Sequence, residues 1–183
     1  INWKATARTG NLKVNVNDPV ISTIMMIVLN LDTFTHYWEG LATEQSERAI
    51  ETAASIARWG IEQQISVGVA TNGLTAGYDT PLRIPPGRGV HHQAQIMTGL
   101  ARLWAFSTVP FANILRQERM RGNRDVTYVI VSPMTSPAIA NELRLYTLAG
   151  IDPIFVPVGE AALHPPAGAR LWSIGLPDQE VAA

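Results

Sequence analysis

Cysteine is absent from the 183 residues, which excludes disulfides, thiolate zinc sites and cysteine nucleophiles. Lysine stops at Lys13, so no glycine-rich phosphate loop of the lysine-bearing type can follow it. Neither sign of charge dominates: the net charge is −1 and the pI is near 6.5. A nucleic-acid binder ordinarily carries a basic patch and a high pI. Long apolar runs are missing too. The longest, Ile24 to Leu29, falls far short of the roughly 20 residues that cross a bilayer. What remains is globular composition, 46% hydrophobic and 16% charged, too apolar and too evenly charged for a disordered chain. The length suits one domain with a real core. The opening Ile1-Asn2-Trp3-Lys4 has no initiator Met and no signal peptide, and reads as the start of a soluble piece of a longer protein.

Leu12, Val14 and Val16 alternate with Lys13, Asn15 and Asn17, predicting a half-exposed strand within a leading segment, residues 1–22. Ile24 to Leu29 is a continuous apolar run, as expected of a strand covered on both faces. From Thr43 to about Gln64, Ile50, Ala53, Ala54, Ala57 and Ile61 recur at helical spacing. Thr43 is a candidate N-cap, with Glu44 and Glu47 favoured by the dipole. Ile65 to Thr71 predicts another buried strand, ended by Asn72-Gly73. Leu82 to Ile84 suggests a short edge strand, and a helix is expected from about His92 to Ala105. A second helix covers Pro110 to Met120. Then follow a strand at Val126–Val131, a helix at Pro137–Leu148 stopped by Gly150, a strand at Ile154–Val158, and a weak last strand at Leu171–Ile174 in an irregular C-terminal segment, 160–183. The alternation predicts an α/β, Rossmann-like domain: an open, mostly parallel sheet with helices on both faces. Ligands in such folds bind outside the carboxyl ends of the strands. That places interest on residues 30–42, 72–90, 132–136 and 159–168.

The candidates for chemistry are few. Asp32 stands at the end of the first core strand, with His36 four residues on. Two ligands without a third make a weak metal site, and Asp and Thr at such a position more commonly cap backbone groups. Pro85-Pro86-Gly87-Arg88-Gly89 precedes a helix, but its prolines lack the N–H donors of a phosphate cradle, so a surface turn is expected. His91 and His92 are neighbours and point apart, which suits a helix start better than one metal. Arg116, Arg119, Arg121 and Arg124 with Glu118 predict a solvated basic face near a helix end, a partner-binding patch being the lesser reading. Ser132 and Ser136 lack the G-x-S-x-G context of a nucleophile.

Ile1-Asn2-Trp3 followed by Ala7-Arg8 resembles the opening of the bacterial family called domain of unknown function 58. The resemblance continues through Asp32-Thr33-Phe34, Tyr37-Trp38-Glu39-Gly40, Glu47-Arg48-Ala49-Ile50, Ile84 to Gly89 and Leu100-Ala101-Arg102-Leu103. It implies a von Willebrand factor A-like domain that follows two transmembrane helices in full-length relatives, which implies bacterial membrane anchoring with the cytoplasmic side favoured. It also implies a protein-interaction role, with a MoxR-type AAA+ ATPase as the expected partner. Domains of this type often hold a divalent cation on D-x-S-x-S, the metal-ion-dependent adhesion site, aided by a later Asp. Here Phe34 and His36 stand at the serine positions when the motif starts at Asp32, Asp32 and Phe34 stand there when it starts at Asn30, and Ser132 stands where the later Asp is expected. The resemblance therefore implies a degenerate site, and no cofactor is expected, since Mg2+ wants several oxygen ligands.

The leading expectation is a non-catalytic adaptor whose protein-binding rim comprises Asp32, Phe34, His36, Tyr37, Trp38, Tyr78, Arg88 and Ser132. Trp, Tyr and Arg dominate interface hot spots, although Phe34, Tyr37 and Trp38 equally suit packing inward to brace their loop. The alternatives are a metal-dependent hydrolase or nucleotide-binding enzyme using Asp32, and a purely structural domain.

Overall fold

The computed structural model describes residues 24–33, 43–75, 80–107, 109–122, 125–159 and 170–171. The strands are β1 (Ile24–Leu29), β2 (Ser66–Thr75), β3 (Pro81–Gly87), β4 (Leu103–Ser107), β5 (Val126–Ser132), β6 (Ile154–Pro157) and β7 (Arg170–Leu171). The helices are α1 (Thr43–Glu62), α2 (Val90–Ala101), α3 (Phe111–Arg121) and α4 (Pro137–Leu148). The sheet order is β3-β2-β1-β5-β6-β7. Neighbours from β2 through β7 run parallel, and β3 and β4 each pair antiparallel with β2. This is an open α/β sheet of mostly parallel strands with helices on both faces.

β1 occupies the centre, and its alternation divides the core. Met25, Ile27, Leu29 and Leu31 pack with Ala49, Ala53, Ile56 and Ala57 of α1 and Ile96 and Leu100 of α2. Met26 and Val28 face the other way, into Phe111, Ile114 and Leu115 of α3 and Ile139, Leu143 and Tyr146 of α4. Period-two alternation along a strand buried on both sides leaves no room for a polar residue until the strand ends. The alanines of α1 bring its backbone close to the sheet. Among the described residues no helix is long and apolar enough to cross a membrane.

Four expectations change against the structure. The helix at His92–Ala105 ends at Ala101, and Leu103–Ser107 is strand β4. The reason lies in β2, which runs past Asn72-Gly73 to Thr75 and beyond the end of β1; β4 pairs with this overhang, Thr75 opposite Leu103 and Gly73 opposite Ser107. Pro85, Pro86 and Gly87 belong to β3 rather than to a turn. Among the described residues β3 ends the sheet order, and an edge tolerates proline because no further ladder needs its missing N–H. The turn is shorter: Gly89, with φ of 87°, sits at the start of α2.

The fourth change concerns the arginines. Arg116 and Arg121 are more than half exposed, yet with Arg83 and Arg119 they pair inward with carboxylates. Glu118 and Glu142 are buried, and each is held by two guanidinium groups. Arg83 of β3 grips Glu118 with a fork of two bonds, 2.8 and 3.2 Å, and Arg121 adds a third at 2.9 Å. Arg116 and Arg119 reach Glu142 on α4 at 3.2 and 3.3 Å. The pairs tie α3 to β3 on one side and to α4 on the other. Beneath them the Tyr128 hydroxyl donates to the Glu118 carbonyl and the Tyr146 hydroxyl to the Leu115 carbonyl. Arg124, the expected strand at Leu12–Val16 and the remainder of Leu171–Ile174 lie outside the described residues.

Ile27, fully buried at the centre of β1, provides the test of this core. Ile27→Val should cost about 1 kcal/mol, and Ile27→Asp more than about 4 kcal/mol, because a buried charge would have no partner. Urea unfolding of both variants measures the difference.

Candidate functional site

The carboxyl ends of β2, β1 and β5 converge on a group of short polar residues. Where parallel strands splay, their backbone N–H groups lose ladder partners and must find others. Asn30, fully buried, sits in the middle. Its Oδ1 accepts from the Asp32 N–H at 2.9 Å and from Asn72 Nδ2 at 3.3 Å, and its Nδ2 donates to Ser132 Oγ at 2.9 Å. Asn72 Oδ1 accepts from the Leu31 N–H at 2.9 Å. Thr71 Oγ1 accepts from the Gly73 N–H at 3.1 Å. Ser132 Oγ donates to the Met134 carbonyl at 2.6 Å and accepts from the Met134 N–H at 3.4 Å.

Asp32 stands at the rim of this belt. The Phe111 N–H donates to Asp32 Oδ2 at 3.4 Å. Residue 110, at the N-cap of α3, is a proline and offers no side-chain acceptor, so Asp32 supplies the missing cap from another element. Ser107 of β4 and Asn72 also donate to the carboxylate. Burial nevertheless outweighs these donors and holds the Asp32 carboxyl above its ordinary range.

A hydroxyl has one proton and two lone pairs, and Ser132 uses all three. Asn30 Oδ1 has both lone pairs occupied. A cation arriving here would have to displace backbone N–H groups from these oxygens. Among the described residues no group of three His, Cys, Asp or Glu is placed to hold a metal ion.

The structure thus brings together two of the expected rim residues, Asp32 and Ser132, through Asn30. Ser132 is fully buried and serves the belt, not a surface. Arg88 belongs elsewhere. β3 runs antiparallel to β2, with Pro81 opposite Leu74 and Gly87 opposite Val67, so the residue after Gly87 lies at the amino ends of the parallel strands. There Arg88 Nε donates to Ser66 Oγ at 2.8 Å. Phe34, His36, Tyr37, Trp38 and Tyr78 lie outside the described residues. His91 and His92 open α2 as expected; His92 Nε2 lies 2.7 Å from the Val67 carbonyl. Asn30, the alternative motif start, completes the site together with Asn72 and Ser107, which carry no motif. Their signal is a polar residue closing an otherwise apolar strand.

Neither a family model nor a curated protein matches the chain. Among solved structures it is similar to proximal thread matrix protein 1 from the mussel byssus, at 11% identity and a TM-score of 0.49, over 74% of this chain and 37% of that one. A second crystal form of that protein gives 10% identity and a TM-score of 0.47, over 74% of this chain and 38% of that one. The match therefore spans well under half the length of its neighbour.

Two outcomes follow from the belt. Asn30→Ala should cost about 2–4 kcal/mol, since it strands more than one buried partner, as read by chemical denaturation. For Asp32, a folded-state pKa above the unfolded value means that folding favours the protonated carboxyl. Stability from this group is therefore full below about 3.8, the ordinary value, falls as pH rises through the folded pKa, and is level above it. Asp32→Asn should melt higher than the wild type at pH 7, with the gap narrowing as pH falls through the folded pKa toward that ordinary value and constant below it.

Proposed function

We propose that this chain is a non-catalytic protein-binding domain of the von Willebrand factor A-like type that keeps the sheet but has lost the cation site at its carboxyl end. The observation that supports this reading is the saturation of the strand-end oxygens. Ser132 and Asn30 are wholly engaged by neighbouring groups, and Asp32 serves as the cap of α3. A hydrolase built on Asp32 would need a second acid, a base or a metal beside it. The fold alone licenses no chemistry. The partner we propose is a MoxR-type AAA+ ATPase, on the strength of the resemblance carried by Ile1-Asn2-Trp3, Asp32-Thr33-Phe34 and Ile84 to Gly89, with the full-length protein anchored in a bacterial membrane.

Melting curves with and without 1 mM Mg2+ should coincide. A site with a dissociation constant near 10 μM would add about 2.7 kcal/mol at that concentration, a shift of roughly 5–10 °C for a chain of this size. An upward shift abolished by Asp32→Asn would overturn the loss of the cation site. The immobilised chain should retain a MoxR-type AAA+ ATPase, and Asp32→Asn should retain it equally. No retention by the wild type would remove the proposed partner.

A further inference from the structure

We infer that the groove between β3 and α2 is a docking site for an extended acidic peptide segment of a protein partner, engaged through Arg102. The inference rests on the protein-binding reading above and gives it a place on the flank of the sheet, formed by residues other than those around Asp32.

The groove has a volume of about 760 Å3, within the size range of small-ligand sites. One wall is a stripe of α2: His91, Gln95, Thr98 and, just past the last turn, Arg102. The spacings of four, three and four residues put them on one helical face. At 1.5 Å per residue the stripe is about 16 Å long, the reach of about five residues of extended chain. Its floor is apolar, from Leu82 and Ile84 of β3. Gly99 sets the depth, because a Cβ there would come within 3.1 Å of Ile84 Cδ1 and 3.2 Å of Leu82 Cδ2. A glycine at this point lets the helix lie against the strand.

Among the described residues the charge on the groove is one-sided: no carboxylate lines it. Two arginines do, and they differ. Arg83 has its guanidinium turned to Glu118. Arg102 makes no ion pair or side-chain hydrogen bond among the described residues. A guanidinium at one end of an apolar floor, beside a row of amide, hydroxyl and imidazole groups, complements a chain that alternates apolar and acidic side chains. A lone phosphate or carboxylate would want its donors converging on one point, and here they are strung along a line. Addition of a strand to β3 is disfavoured, since Pro81, Pro85 and Pro86 offer no N–H along it. The peptide is held by side chains.

The test is a titration of the isotopically labelled 183-residue chain, followed by amide chemical shifts. The probes are a capped hexapeptide of alternating valine and glutamate, its glutamine counterpart, and glutarate. The glutamate peptide should move signals from residues 82–84 and 91–102. Affinity should fall about tenfold or more with the glutamine peptide and with Arg102→Glu, as for loss of a charged hydrogen-bond partner, and should weaken with salt. Gln95→Trp, an exposed substitution that fills the groove, should block binding without unfolding the chain. Absence of shifts, equal shifts with the glutamine peptide, or shifts matched by glutarate would each overturn the inference, the last marking a small-anion site. Shifts in the same residues that follow protein concentration alone would also overturn it, in favour of a second copy. If the peptide fails while the ATPase is still retained, the groove falls and the protein-binding reading stands. If the peptide binds and the ATPase is not retained, the groove stands and the partner is another protein.

Discussion

Where β1 and β5 end beside β2, and where α3 begins, five backbone N–H groups must be satisfied by side chains. Those of Leu31, Asp32, Gly73, Met134 and Phe111 are taken up by Asn72, Asn30, Thr71, Ser132 and Asp32 respectively. Buried donors left without acceptors would each cost about 1–3 kcal/mol, so short polar side chains at these positions follow from the sheet's own geometry. They also cross-link the strands, β2 to β1 through Asn72 and β1 to β5 through Asn30 and Ser132. The same engagement leaves few oxygen lone pairs for anything arriving from outside. Among the described residues, the oxygens of Asn30 and Ser132, at the place where an α/β sheet ordinarily meets its ligand, are engaged by the structure's own bonds.

A second polar layer lies on the opposite rim of α3. Glu118 and Glu142 are each 2% exposed, and carboxylates so deeply placed persist only when paired and hydrogen-bonded. The guanidinium groups reach them from the outside, with Arg119 the most covered and Arg116 and Arg121 more than half exposed. Such pairs orient α3 more than they stabilise it, because desolvation offsets much of their attraction. Between the belt and this layer, α3 is fixed at both ends: Asp32 at its first turn, Glu118 and its arginines near its last.

The parallel core was legible in the sequence because a strand buried on both faces writes itself as an unbroken apolar run, as in Ile24–Leu29 and Val126–Val131. The helix α1 was equally plain from its spacing, and α4 was bounded by the Gly150 that follows it. The misreading of Leu103–Ala105 as helix has a cause that no local pattern carries. Whether that segment extends depends on β2 outrunning β1 by four residues, which is a property of the assembled sheet. Arg88 shows the same dependence. Its assignment to the carboxyl-end rim followed from chain proximity to residues 72–80, and a single antiparallel strand of seven residues carries it to the far end. Asn72 reads as punctuation, since a polar residue after an apolar run has the same appearance whether it turns the chain or bonds across it. Glu118 and Glu142 were hidden for a simpler reason: a carboxylate on a helix looks solvated until the arginines that cover it are placed.

Among the described residues the ion pairs around α3 use arginine alone, and the two lysines of the chain, Lys4 and Lys13, fall before β1 in the sequence. Guanidinium stays charged across the whole working range of pH, whereas an ammonium can be neutralised by acetylation or by amine-directed reagents. The charge network of this domain is therefore insensitive to lysine chemistry of any kind. Acetylation, ubiquitin attachment to lysine or an amine-coupled tether would fall on the leading segment, leaving the arginine–glutamate pairs and the groove beside α2 chemically unaltered.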